Sequence, residues 1–397
     1  MIQTQLSCRH HQSFRVAFDY PVIFTRDLFR PSHPLLAKTM DRLKEKRRHR
    51  AAVFIDAGVV KKHPSLVSQI RSCFDEHPGR LELVMPPRIL PGGETVKNNF
   101  PMVLKIIRSL LEHRLCRHSY VVAVGGGAVL DAVGFAASLT HRGLRLVRVP
   151  TTVLSQCDGG VGVKTGVNLD GGKNSIGTFA PPFAVLNDFR FLSTLPDRDW
   201  AGGIAEAFKV SIIRDASFFE WLCRHAPSLG ARNPSITESM IKRCAKLHLQ
   251  HIQKSGDSFE HGRARPLDFG HWSAHKLETM SNYRISHGQA VGTGVALDSF
   301  YAAMKGWITG TEADAIYRGL RQSGLALWHD ELERRNPGKS GLEILKGLDD
   351  FREHLGGELC VTFPKGIGKK FEAHKINLAL FEKAVRRLKQ LVSSAEW

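Results

Sequence analysis

The sequence predicts an α/β protein, with an N-terminal parallel-sheet half followed by an all-helical half. Three observations predict it. Short apolar runs alternate with helical stretches through the first half. One of these runs ends in three glycines at a helix start. After about residue 197 the pattern changes to long segments without proline.

The elements follow in chain order. Residues 1–50 are expected to add peripheral strands and a helix. Ala52-Val53-Phe54-Ile55 is an apolar run ending at Asp56, and Leu81-Glu82-Leu83-Val84 is a second. Tyr120-Val121-Val122-Ala123-Val124 runs into Gly125, Gly126 and Gly127. Leu144 to Pro150 is the next strand. In such a sheet, ligands sit at the carboxyl ends of the strands. Ala201–Ile213, Ile236–Lys254, Ser273–Met280 and Gly288–Met304 read as helices. A boundary near Pro196 therefore divides the chain into domains 1–196 and 197–397.

Composition narrows the class. Of 397 residues, 24% are charged and 42% apolar, which suits a folded chain with a sizeable core. No apolar run approaches the roughly 20 residues that span a bilayer, so no membrane partner is expected. The opening MIQTQLSCRHHQSF lacks a continuous apolar stretch. The seven cysteines are scattered without a CxxC pair, which argues against disulfides and thiolate zinc. A cytoplasmic location is expected. The net charge of +18 raises the question of nucleic acid. The densest basic run, Lys44 to Arg50, carries no interleaved aromatics and reads as a solvated helix end, so no nucleic-acid partner is expected.

Three local patterns carry chemistry. Val124 to Asp131 is a strand, a glycine turn and a helix start, which suits a pyrophosphate at a helix N-terminus. It is not GxGxxG, and a plain tight turn reads equally well. Asp131 binds a ribose there or caps the helix. Glu94 and Lys97, in Pro91-Gly92-Gly93-Glu94-Thr95-Val96-Lys97, stand at i,i+3 and in isolation read as a surface ion pair. His271 and His275 stand at i,i+4, with His287 twelve residues later and Glu206 and Lys209 on one face of an earlier helix. One carboxylate and two imidazoles suit a catalytic metal with an open position, although 19 histidines make chance proximity equally plausible.

The ordered set GGGAVLDAVGFAA, RGLRLVRVPTTVLSQCDGGVGVKTGVN, GGKNSIGTF, LSTLPDRDWAGGIAEAFKVSIIRD, LDFGHWSAHKLE and SHGQAV resembles the sugar phosphate cyclases, whose best-known member is 3-dehydroquinate synthase. The resemblance runs from about Asp56 to about Lys370. It implies an NAD-binding domain, a helical metal domain and an active site between them. Asp56, Glu94, Lys97, the Gly125–Gly127 turn, Asp131, Thr151, Thr152 and Thr194 would bind NAD. Glu206, His271 and His287 would hold zinc or cobalt. Asp158, Lys164, Lys173, Asn174, Lys209 and His275 would surround a phosphorylated sugar. Arg142 would reach the phosphate in the partner subunit of a homodimer. The implied reaction oxidises an alcohol transiently, eliminates phosphate, returns the hydride and closes a carbocycle by an aldol step.

Departures from the dehydroquinate synthase pattern concern the substrate. Where that pattern reads Gly-Leu-Arg-x-Leu-Leu-Asn, this chain reads Gly262-Arg263-Ala264-Arg265-Pro266-Leu267-Asp268. Ala264 replaces a carboxylate-gripping arginine, and Asp268 replaces an asparagine. Gln250 replaces a lysine, Glu358 aligns with a phosphate-contacting lysine, and Gly58 replaces an asparagine. Arg and Lys are natural carboxylate receptors, so their loss favours a neutral ketose phosphate such as sedoheptulose 7-phosphate. Cyclases of that substrate class share the Arg-Pro-Leu-Asp segment. Three alternatives stay open: true dehydroquinate synthase, with Arg263 or Arg265 filling the gap; a metal-dependent polyol dehydrogenase; and a basic nucleic-acid binder.

Overall fold

The computed structural model describes residues 10–170, 172–254, 258–259, 267–336, 341–354 and 358–394. Its first half is built on a seven-stranded sheet. The strands are β1 (Val22–Thr25), β2 (His49–Asp56), β3 (Leu81–Leu83), β4 (Arg88–Leu90), β5 (Tyr120–Gly125), β6 (Arg145–Pro150) and, after a hairpin, β9 (Ala184–Asp188). The hairpin is β7 (Lys164–Leu169) with β8 (Gly172–Phe179), paired antiparallel. The sheet order is β1-β9-β6-β5-β2-β3, with β4 beside the end of β2, and every pairing within it is parallel. β5 is buried along its whole length, as its unbroken apolar run requires of a strand covered on both faces. Two apolar cores flank the sheet, one around Val53, Val122 and Phe74 and the other around Phe54, Val121 and Ile106.

Register puts the strand ends level. Ile55 lies opposite Val124, and Gly125 opposite Pro150. Asp56, the glycine turn and Thr151 therefore open on the same edge.

The second half is mainly helical. Asp197–Arg214 and His287–Met304 are its buried centre, flanked by Ala216–Gly230, Pro234–Lys254, His271–Met280 and Gly310–Gln322. One small hairpin, Val361–Pro364 with Lys370–Ala373, interrupts the helices. The central helices touch backbone to backbone. A Cβ on Gly288 would lie 2.3 Å from the Gly202 carbonyl oxygen. The helical core reaches the sheet half through Val153, Cys157, Phe189 and Leu192. Among the described residues, no helix is long and apolar enough to cross a membrane.

The basic run Lys44–Arg50 corrects an expectation. It is not a helix end but a turn leading into β2. Strand formation pulls its last residues inward. His49 is buried against Asp41 at 3.1 Å, and Arg50 bonds Glu82 and the carbonyls of His113 and Arg114.

Candidate active site

A cleft of about 660 Å³ lies between the strand ends and the helical half. Its first wall is main chain. The helix Gly127–Leu139 starts directly after β5, with Gly126 at its N-cap and no capping side chain. Its first N–H groups therefore face the cleft, where Gly127 and Ala128 lie. Crowding explains the other glycines: a Cβ on Gly125 would come within 2.9 Å of Val129, and one on Gly126 within 3.2 Å of Thr152. Asp56 stands behind this turn, accepting from Gly58 N at 2.7 Å, and burial raises its carboxyl above the usual range. Thr151 donates its N–H to the Gly125 carbonyl at 3.0 Å. Thr152 caps the Val153–Cys157 helix through a box with Ser155.

Lys97 is not the surface lysine its spacing suggested. It is 3% exposed and donates to Asp131 at 2.8 Å and to the Asn174 side-chain oxygen. Burial opposes its charge, but Asp131 and Glu94 outweigh that and raise its pKa. Glu94 in turn accepts from Asn168 at 2.9 Å, and Asn168 accepts from the Asn174 N–H at 2.7 Å. This network fixes Asn174 in a left-handed conformation at φ 51°.

The second wall is made of buried charges. Glu206 and Lys209 stand one turn apart on Asp197–Arg214, paired at 2.5 Å. Lys209 also donates to Asp158 at 3.1 Å. Burial works against the Lys209 charge, yet the two carboxylates hold its pKa well above normal. Burial likewise opposes the Asp158 charge, but Lys209 and His248 keep it ionised far below the usual carboxylate range.

His271 and His287 complete this wall. Their Nε2 atoms lie 3.8 and 3.7 Å from Glu206 Oε1. The ligand atoms of all three residues fall within 4.8 Å of one another. His271 Nδ1 donates to the Phe269 carbonyl at 3.1 Å, and His287 Nδ1 to Glu278 at 3.0 Å. Both Nε2 lone pairs are thereby left for a cation. Burial first, then Lys209 and the neighbouring imidazoles, keep His271 neutral. Two imidazole nitrogens and one carboxylate form a donor set suited to zinc or cobalt.

Glu94, Lys97, Gly127, Asp131, Thr152, Asp158, Lys164, Lys173, Asn174, Glu206, Lys209, Asp268, His271, His275 and His287 all line this one cleft. Thr194 does not; its hydroxyl bonds His63 at 2.9 Å. Arg142 is exposed on the turn after the Gly127–Leu139 helix, away from the cleft. Gln250 does not line it either, because its helix turns His248 and His251 inward instead. Ala264, Arg263 and Arg265 lie outside the described residues.

Sequence reasoning missed four supporting groups. Glu278 is buried and holds both His287 and Lys173. Burial resists its charge, but His287 and Lys173 keep its pKa low. His248 bonds Asp158 at 3.2 Å. Asp298 lies beneath the His271–Met280 helix, and Arg148 beneath the Asp158 turn. The β7–β8 hairpin was also missed, although Asp170-Gly171 is a hairpin signal.

Comparison with known proteins agrees with this architecture. Residues 88–202 match the 3-dehydroquinate synthase N-terminal family and residues 203–339 its C-terminal family. The 3-dehydroquinate synthase of Cereibacter sphaeroides is 35% identical over 290 residues, spanning 72% of this chain and 76% of that protein. The solved structure of 2-epi-5-epi-valiolone synthase from Streptomyces hygroscopicus subsp. jinggangensis, with NAD+ and Zn2+ bound, superposes with a TM-score of 0.84 at 28% identity, covering 96% of this chain and 99% of that one. A 2-deoxy-scyllo-inosose synthase complexed with carbaglucose-6-phosphate, NAD+ and Co2+ shares the fold, with a TM-score of 0.69 at 22% identity over 92% of this chain and 96% of that one. The chain belongs to the 3-dehydroquinate synthase-like family of sugar phosphate cyclases.

Proposed function

We propose that the protein is an NAD- and divalent-metal-dependent cyclase that eliminates phosphate from a ketose phosphate such as sedoheptulose 7-phosphate. The observation that carries the substrate class is Asp268. It lines the cleft three residues before His271, and its charge is felt at Lys209. A carboxylated substrate would bring a second negative charge to that end. The Pro234–Lys254 helix adds His248 and His251 to the same cleft rather than a lysine.

The residues fit both cofactors. The uncapped helix at Gly127 suits a pyrophosphate, and the Glu206, His271 and His287 donors suit zinc or cobalt. The bound NAD+ and Zn2+ of the valiolone synthase support this assignment. When bound, NAD supplies a hydride acceptor and the ion a Lewis acid, which together permit transient oxidation.

The chain's own residues divide the remaining work. Lys209, held between Glu206 and Asp158, offers its charge to an oxygen that becomes negative. Asp158, paired with Lys209 and lining the cleft, orients the substrate. Lys164, Asn174 and His275 bind the phosphate, with Lys173 held toward them by Glu278. Within this reading, residues 1–196 serve the cofactor and 197–397 the metal. A homodimer would let exposed Arg142 serve the cleft of a second copy, in a cytoplasmic enzyme.

The test is direct incubation with NAD+, cobalt and each sugar phosphate, following phosphate release and identifying the carbocycle by mass and NMR. Loss of a charge-assisted pair, about 1.5–3 kcal/mol, predicts roughly a tenfold or greater preference for the ketose phosphate. NADH should not accumulate; one NADH per product would indicate a polyol dehydrogenase. The 35% identity to dehydroquinate synthase favours a second reading, in which the carboxylated heptulosonate phosphate is the substrate. Turnover of that compound alone would establish it, with Arg263 and Arg265 as the first residues to replace.

A further inference from the structure

Arg148 occupies the middle of β6, between Ala123 on β5 and Val185 on β9, and is fully buried. Arginine is rarely found there unless paired. Its guanidinium donates from Nη1 to the carbonyls of Gly162 at 2.7 Å and Gly160 at 3.3 Å. Nη2 donates to the Lys164 carbonyl at 2.9 Å. The two glycines belong to the turn between the Val153–Cys157 helix and β7, and Lys164 is the first residue of β7. Tyr20 donates to a further carbonyl of that turn, Val161, at 3.0 Å. The turn is tight: a Cβ on Gly160 would lie 2.3 Å from the Ser155 carbonyl oxygen. With its carbonyls drawn toward the interior, the turn presents the side chains of Asp158 and Lys164 to the cleft.

The guanidinium is also an unusual choice for this task. Among the described residues, no carboxylate hydrogen-bonds it, and its Nε makes no hydrogen bond. Arginine stays protonated in proteins; its hydrogen-bond partners are all neutral carbonyls, and the carboxylate of Asp131 offsets its charge only through space. Taking such a charge out of water is costly, and closing a turn requires only a neutral donor. A cation kept beneath a turn that faces the cleft favours an anion above it.

We propose that Arg148 is a positioning residue for the substrate phosphate. It fixes the 158–164 turn so that Lys164 and Asp158 meet the substrate, and its buried charge adds to the affinity for an anion there. This rests on the cyclase reading given above.

The test uses the full-length protein with Arg148→Lys, Lys164→Ala, the double variant and Arg148→Gln. Lysine keeps the charge but cannot span three carbonyls. Arg148→Lys should raise KM for the phosphorylated substrate about tenfold, with kcat changed less than about threefold. In the Lys164→Ala background the same change should alter KM less than about twofold, because coupled residues are not additive. NAD+ affinity of Arg148→Lys, measured by calorimetry, should stay within about twofold of the parent. Arg148→Gln, which also removes the charge, should weaken inorganic phosphate binding by about a further tenfold. Equal losses in both backgrounds, or NAD+ and phosphate affinity falling together in Arg148→Lys, would reduce Arg148 to a structural strut. If Arg148→Gln does not fold, the lysine cycle decides. If the parent releases phosphate from neither sugar phosphate, the cyclase reading fails. Inorganic phosphate calorimetry on Arg148→Lys and Lys164→Ala then judges Arg148 separately.

Discussion

The two walls of the cleft are made of different material. The wall at Gly127 and Ala128 offers peptide N–H groups and the partial positive end of a helix. The wall at Glu206 and His271 offers ionisable side chains, with Glu206, Lys209 and His271 buried and Asp158 and His287 half-buried. Main-chain donors need only room, so glycine suffices. Side-chain charges each need a partner, so the second wall pairs Lys209 with Asp158 and carries a further layer, Glu278 behind His287 and Phe269 O behind His271. A site built from side chains is consequently more specific and more fragile.

Four changes test that contrast. The largest effect is expected from His271→Ala, which should remove the metal and lower turnover by on the order of 10³-fold. Metal analysis alongside phosphate release checks it, and full occupancy in the variant would end the ligand assignment. Gly288→Ala comes next. Its Cβ would fall within 2.4 Å of three Gly202 backbone atoms, so a destabilisation of about 3 kcal/mol is expected. An unmoved denaturant midpoint would mean that the helices separate at little cost.

Glu278→Gln tests the supporting layer. It should weaken metal affinity about 10–100-fold while leaving the three ligands in place. A titration that matches the parent would confine the site to its ligands.

The smallest effect concerns Asp298, which accepts from Trp272 Nε1 and Gly270 N, each at 3.1 Å. Burial pushes its carboxyl up to about 8. Between the unfolded value near 4 and this one, the folded chain holds a proton that the unfolded chain has released. Stability therefore falls as pH rises through that window, by at most about 1.4 kcal/mol per unit, and levels off above it. Denaturation at pH 6 and 7 measures the slope, and Asp298→Asn should flatten it. A slope that persists in the asparagine variant would assign it to another group.

How much was legible in the sequence follows the same division. The alternation of strands and helices could be read, because periodicity is local. The glycine turn and the helices bearing Glu206, His271 and His287 could be located for the same reason. Convergence could not be read from spacing: Glu206 and His271 are sixty-five positions apart, and only the packing of their helices brings them together. Lys97 misled for a related reason. Its i,i+3 spacing to Glu94 is what any surface pair shows, while its burial depends on Asp131 and Asn174 far along the chain. Glu278 and Arg148 carry no local signal. One is a glutamate on a helix and the other an arginine in a strand, and their roles appear only through partners elsewhere in the fold.

The contact between Gly202 and Gly288 has a consequence for how such a site evolves. Gly202 lies one turn before Glu206, and Gly288 directly follows His287. With no side chain between the helices, the separation of these two donors is set by the thickness of the polypeptide backbone. Substitution cannot adjust that length in small steps, since alanine is already too large. Preference for one ion over another can therefore drift only through groups around the donors, while their spacing stays inherited as a unit.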